Sequence, residues 1–167
     1  MNVLVTGATG FVGRALLPRL GQAGHSVTAL VRSKERAGDL GVALAQGQAE
    51  LREAMGRADG VVNLAGESVL PRRWTPDRKR ALVESRVETS RALVEAIRQS
   101  EQRPRVMLSA SAVGYYGDRG EELQSEDQPS GDDFLARLCV QWEAAAREAM
   151  MTVESTRPIS ALCTPSP

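Results

Sequence analysis

The sequence predicts an α/β fold, a doubly wound parallel sheet with helices on both faces. Three observations predict it. The chain opens on a short apolar run, Val3-Leu4-Val5, without polar alternation, as in a strand buried on both sides. Glycines at positions 7, 10 and 13 follow at once and lead into a segment where Val12, Leu16 and Leu20 recur at helical spacing. Further apolar runs then alternate with helical patterns to about residue 158. A chain of 167 residues fits one domain with a real core. We read that domain as 1–158, with 159–167 an irregular tail.

Each glycine has a mechanical reason. Gly7 lets the chain leave the strand through a tight turn, Gly10 lets backbone approach a pyrophosphate, and Gly13 permits close packing of helix on sheet. The helix start adds free N–H groups and a positive dipole end. The spacing G-x-x-G-x-x-G departs from G-x-G-x-x-G in its first interval, but the context is that of a Rossmann-type NAD(P)-binding unit. Gly7, Thr9, Gly10, Phe11, Val12 and Gly13 are the expected cofactor-binding residues of this turn. The competing reading is a tight turn that binds nothing.

Val27 to Val31 reads as the second strand, after a glycine stop and a polar loop that carries His25, expected as a surface side chain. About 20 residues past a glycine turn, an NAD-binding unit carries a carboxylate for the ribose 2′-OH. Here stand Arg32 and Ser33. A guanidinium can grip a 2′-phosphate with forked hydrogen bonds, so this end favours NADP(H) over NAD(H). The alternative is a solvated basic loop. Val42-Ala43-Leu44 is a short apolar piece, and Glu50 to Met55 is helical in composition. Gly60 to Gly66 reads as a buried strand running into a small-residue turn, where Leu64, Ala65 and Gly66 would admit a cofactor and Asn63 would brace the neighbouring loop.

Thr75, Pro76 and Asp77 make an N-cap, first position and acidic first turn. The long helix they start places Val83, Val87, Val94 and Ile97 on one face. Arg72 to Arg80 is a dense basic run beside Trp74, without the wider basic surface that nucleic-acid binding requires. Pro104 to Ser109 reads as a strand ending in Ala110-Ser111-Ala112-Val113-Gly114-Tyr115-Tyr116-Gly117. Hydroxyls at the carboxyl end of a strand sit where an open α/β sheet does its chemistry, so Ser111, Tyr115 and Tyr116 are the candidate catalytic residues. Turn chemistry for the serine and packing for the tyrosines are the bland readings. After an acidic loop, a helix from Phe134 to Met150 turns Phe134, Leu138, Trp142 and Ala145 or Ala146 inward. Thr152 to Pro158 is the last expected strand, and Cys163 to Pro167 reads as frayed.

Composition bounds the function. Lys and Arg number 21 and Asp and Glu 21, so no net field steers the chain to nucleic acid or membrane. Cys139 and Cys163 fit no metal-ligand spacing and read as reduced thiols; no metal site is expected. The opening apolar run is too short for a membrane span and lacks the basic start of a signal peptide, so a cytoplasmic location is expected.

The β-α-β alternation, Gly7-Ala8-Thr9-Gly10-Phe11-Val12-Gly13 and the Ser/Tyr strand end together resemble the extended short-chain dehydrogenase/reductases. Asn63-Leu64-Ala65-Gly66-Glu67-Ser68, Arg73-Trp74-Thr75, Glu84-Ser85-Arg86-Val87, Ser109 to Gly117 and Trp142-Glu143-Ala144-Ala145 are similar to the NAD-dependent nucleoside-diphosphate-sugar epimerase/dehydratase branch. The resemblance covers about residues 1–158. It implies a nicotinamide cofactor and hydride transfer on a sugar nucleotide or related small molecule. It also implies a homodimer built on the helices that start at Pro76 and Phe134. Two departures stand out. Where the superfamily carries Tyr-x-x-x-Lys, this sequence aligns Leu135 and Cys139, and the nearest substitute is Tyr115 with Arg119 four residues on, placed to stabilise a phenolate. Relatives also continue into further strands and a smaller substrate-binding lobe, so the resemblance implies a truncated chain. Two functions stay open: an enzyme with Ser111 polarising the reacting oxygen and a tyrosine exchanging the proton, or a catalytically impaired dinucleotide-binding or regulatory module.

Overall fold

The computed structural model describes residues 1–69, 73–151 and 162–164. Six strands, β1 (Asn2–Thr6), β2 (Ser26–Val31), β3 (Ala43–Gln46), β4 (Gly60–Asn63), β5 (Val106–Ala112) and β6 (Leu162–Thr164), form one sheet in the order β3-β2-β1-β4-β5-β6. Every pairing is parallel. The chain steps outward from β1 through β2 to β3, then crosses back to β4 and steps the other way. That reversal opens a crevice at the carboxyl ends of β1 and β4.

Side-chain alternation splits the core between the two faces of the sheet. Val3 and Val5 pack with Val27, Ala29 and Val62 and with Leu17 of α1 (Phe11–Gln22). Leu4, Val61 and Met107 pack on the other face with Leu51 and Met55 of α3 (Gly47–Met55) and Leu93, Val94 and Ile97 of α4 (Pro76–Gln99). The short α2 (Lys34–Ala37) is capped by Ser33, whose Oγ accepts from the Arg36 N–H at 3.3 Å. α5 (Phe134–Arg147) lies beside α4 and is capped by Asp133, whose Oδ1 accepts from the Ala136 N–H at 2.8 Å.

The expected helix starts hold, and two apolar faces are rotated. Thr75 caps α4, with its Oγ1 3.2 Å from the Arg78 N–H, and Pro76 begins the helix. α1 buries Gly13 and Leu17, with Leu16 and Leu20 partly covered and Val12 exposed. The cause is Gly13, which the helix turns inward onto the glycine turn. In α4, Val87, Val94 and Ile97 are buried as expected, while Leu82 takes the place of the half-buried Val83. α5 ends at Arg147 and passes into a 3-10 turn, Glu148–Met151; Phe134 is half-buried at its start.

The chain's end departs from the expectation. Residues 162–164, read as part of an irregular tail, pair with β5 in the register Ala110–Leu162, Ser111–Cys163 and Ala112–Thr164. The strand takes up N–H and C=O groups that β5 would leave open at a sheet edge. The strand expected over 152–158 lies outside the described residues.

Candidate cofactor crevice

The crevice has a volume of about 1010 Å³ and is walled by the ends of β1 to β4 and by one face of α4. Its floor is the glycine turn. Gly7 sits at φ +68°, and a Cβ there would lie 2.4 Å from the Leu64 carbonyl oxygen. Both the left-handed backbone and the close approach require glycine. Gly10 turns its N–H back to the Gly7 carbonyl at 3.0 Å and stands as N-cap of α1, with no side chain capping that helix. The first-turn N–H groups are thus left for an anion. A Cβ on Gly13 would meet the Gly7 carbonyl oxygen at 2.4 Å, so this glycine packs helix against turn.

The predicted cofactor residues divide in two. Gly7, Thr9, Gly10, Arg32, Ser33, Leu64, Ala65 and Gly66 line the crevice. Phe11, Val12 and Gly13 do not, and the Phe11 side chain is 94% exposed. What those three offer is backbone.

Beneath the crevice lies a buried polar network. Thr6 Oγ1 donates to Asn63 Oδ1 at 2.7 Å, and Asn63 Nδ2 donates to the Ser90 and Ser109 hydroxyls at 3.0 and 3.3 Å. The Ala65 N–H donates in turn to Thr6 Oγ1 at 3.2 Å. Asn63 therefore braces the Leu64–Gly66 loop as expected, while tying β1, β4, β5 and α4 together. Thr6 and Ser90 carried no signal in the sequence, and Ser109 showed only as part of the strand-end motif, because the meeting of the three with Asn63 depends on strand register.

The crevice's far rim is charged. Glu67 Oε1 pairs with Arg78 Nη1 at 3.0 Å, and Glu67 Oε2 with Arg32 Nη1 at 3.4 Å. The Arg78 hydrogen bond holds the Glu67 carboxyl below the usual carboxylate range, with Arg32 adding to the effect. Behind the loop, Arg86 donates to the Glu67 carbonyl at 3.0 Å and lies 5.3 Å over the Trp142 ring. Burial pulls the Arg86 pKa down, yet a guanidinium keeps its charge. Two cations of the basic run are held in such pairs, Arg78 with Glu67 and Arg80 with Asp77, and Lys79 lies 5.0 Å over the Phe134 ring. Glu67 and Arg36 also line the crevice, and neither was among the cofactor residues expected from the sequence.

The hydroxyl cluster lies beyond the crevice lining. Ser111 is buried and donates to Glu143 Oε1 at 2.6 Å, while Glu143 Oε2 accepts from Arg147 at 2.7 Å. Its proton is therefore directed at α5. Tyr115 and Tyr116 stand edge-on, ring centres 5.2 Å apart, on a 3-10 turn, Val113–Tyr116. The Arg119 guanidinium donates to the Tyr116 and Pro129 carbonyls at 3.1 and 3.4 Å and so ties the loop together. Leu135 packs at Gly114, where an added Cβ would lie 3.3 Å away, and Cys139 Sγ lies 3.8 Å from the Ala112 carbonyl. Leucine and thiol thus occupy the end of β5. Among the described residues no helix is long and apolar enough to cross a membrane, and no group of His, Cys, Asp and Glu could hold a metal ion.

Known proteins share this architecture. Epimerase family protein SDR39U1 homolog, chloroplastic, of Arabidopsis thaliana is 39% identical over 158 residues, covering 89% of this chain and 45% of that protein. Human epimerase family protein SDR39U1 is 37% identical over 162 residues, covering 95% and 52%. The crystal structure of the human protein (isoform 2) with NADPH superposes with a TM-score of 0.77 at 38% identity, covering 88% of this chain and 49% of that one. The nucleoside-diphosphate sugar epimerase from Corynebacterium glutamicum gives 0.72 at 39% identity, covering 91% and 31%. The chain spans about half the length of the curated relatives it matches. The model of the NAD dependent epimerase/dehydratase family matches residues 3–151. Taken with the glycine turn and the parallel sheet, that match decides the assignment: this chain belongs to the NAD dependent epimerase/dehydratase family.

Proposed function

We propose that the crevice binds a nicotinamide adenine dinucleotide, NADP(H) in preference to NAD(H), and serves hydride transfer on a sugar nucleotide or a related small molecule. One observation carries the reading: an uncapped α1 N-terminus opens beside Gly7 into a crevice where β2 ends in Arg32, at the place where an NAD-binding unit carries its own carboxylate. The residues fit the cofactor. Backbone N–H groups of the turn would hold the pyrophosphate, and Arg32 the 2′-phosphate. When bound, the nicotinamide supplies the hydride chemistry. The chain's own part at the carboxyl end of β5 falls to Ser111, whose oxygen stays an acceptor for a substrate hydroxyl while its proton is held by Glu143, and to Tyr115 or Tyr116 as the group that exchanges a proton with substrate oxygen. The relatives' names support the substrate class.

A second reading, a cofactor-binding module without turnover, is favoured by Leu135 and Cys139 at the end of β5. Calorimetric titration with NADPH and NADH tests the first claim. Micromolar NADPH binding with NADH about tenfold weaker is the expected result. No binding of either refutes it. Ser111→Ala then separates the two readings: loss of turnover with unchanged NADPH affinity supports the enzyme, and a wild-type chain with no turnover on sugar nucleotides supports the module.

A further inference from the structure

We propose that Arg36 and Glu67 set the nucleotide selectivity of the crevice: Arg36 meets a 2′-phosphate with an uncommitted guanidinium, whereas Glu67 holds Arg32 and competes with that phosphate for it. The inference rests on reading the crevice as a dinucleotide site.

Three cations follow β2, and they are not equivalent. Lys34 is committed to Glu50 at 2.6 Å. Arg32 reaches across to Glu67 at 3.4 Å, from the loop after β2 to the loop after β4. Arg36 lines the crevice, its N–H held by Ser33 at 3.3 Å, and its guanidinium has no ion-pair partner among the described residues. An incoming phosphate therefore finds Arg36 open and Arg32 occupied.

Between Arg32 and Glu67, only one end is free to move. The Arg32 side chain is 92% exposed, and that of Glu67 31%. Glu67 is anchored at its other carboxylate oxygen by Arg78, whose side chain is only 11% exposed, and by its own N–H on Ser85 Oγ at 3.0 Å. Arg32 must leave Glu67 to reach a ligand. An exposed ion pair is weak, and a phosphate dianion offers a forked guanidinium the stronger partner, so the exchange runs toward the ligand. Until then the carboxylate both detains Arg32 and repels phosphate at that rim. A nucleotide without a 2′-phosphate meets neither effect.

The test titrates the full chain, its Arg36→Ala, Arg36→Lys and Glu67→Gln variants, with NADPH, NADH, 2′,5′-ADP and 5′-ADP. Arg36→Ala is expected to weaken NADPH and 2′,5′-ADP by about tenfold, with NADH and 5′-ADP changed by less than about twofold. Arg36→Lys should recover part of the loss. Glu67→Gln keeps an acceptor for Arg78, and is expected to tighten NADPH by about two- to fivefold without moving NADH. A wild type that prefers NADPH while the variants keep its NADPH/NADH ratio overturns this inference alone. A wild type that binds none of the four overturns the reading of the crevice. If Glu67→Gln weakens NADPH and NADH alike, Glu67 merely supports its loop, and the competition is refuted.

Discussion

Gly13→Ala should destabilise the protein even though alanine is the better helix former. In a helix interior that exchange is worth about 1 kcal/mol in alanine's favour. Position 13 lacks the room. The added methyl would lie 2.4 Å from the Gly7 carbonyl oxygen and 2.6 Å from the Ala8 Cα, both backbone atoms of a turn that Leu64 pins from the other side. Overpacking costs about 1–3 kcal/mol when side chains can yield, and a backbone contact lies at the upper end or beyond. The net expectation is a loss of about 2 kcal/mol or more, or at least about 4–8 °C in Tm for a chain of this size. The control is on the same helix. Gly21 has nothing within 4 Å of an added Cβ, and its φ is not positive, so Gly21→Ala should gain about 0.5–1 kcal/mol. Urea unfolding of both variants, with m unchanged, reads the difference as a shift in midpoint. A Gly13→Ala midpoint at or above that of Gly21→Ala would refute the argument that helix and turn meet through backbone.

Three further outcomes follow from the same contacts. Asn63→Ala should cost about 2–4 kcal/mol in urea unfolding, because it leaves the buried Thr6, Ser90 and Ser109 hydroxyls short of partners. Asp133→Ala should cost about 1 kcal/mol through loss of the α5 cap, while Asp133→Asn costs less. Glu67 gives a pH signature. Its folded pKa is depressed below the ordinary 4.5, so its contribution is complete above 4.5 and is lost as pH falls through the folded value. The stability gap between wild type and Glu67→Gln should therefore shrink between pH 7 and pH 3; a gap that widens on acidification would contradict the Arg78 pairing.

Much of the fold was legible because its signals are local. Val3-Leu4-Val5 before three glycines specifies a buried strand and a turn, and Thr75-Pro76-Asp77 specifies a helix start, through backbone chemistry that acts over a few residues. The glycine spacing likewise marked the crevice floor. The rim was not legible. Arg32 and Glu67 are 35 positions apart, and their meeting depends on β2 and β4 lying on either side of β1. Arg119 shows the converse. Its spacing from Tyr115 suggested support for a phenol, whereas its hydrogen bonds to the Tyr116 and Pro129 carbonyls come from a loop path that the spacing does not show.

Although neither α2 nor the pairing of 162–164 with β5 showed in the sequence, most of the other strands and helices, the glycine turn and the cation after the second strand did. Those are consequences of side-chain period, capping and φ preference. Only the tertiary structure decided what each polar group is free to do. It committed Ser111 to Glu143 and Lys34 to Glu50, and left Arg36 without an ion-pair partner among the described residues. The reason is physical: hydrogen bonds and ion pairs depend on distances of about 3 Å between residues far apart in the chain, and register and crossover order alone set those distances.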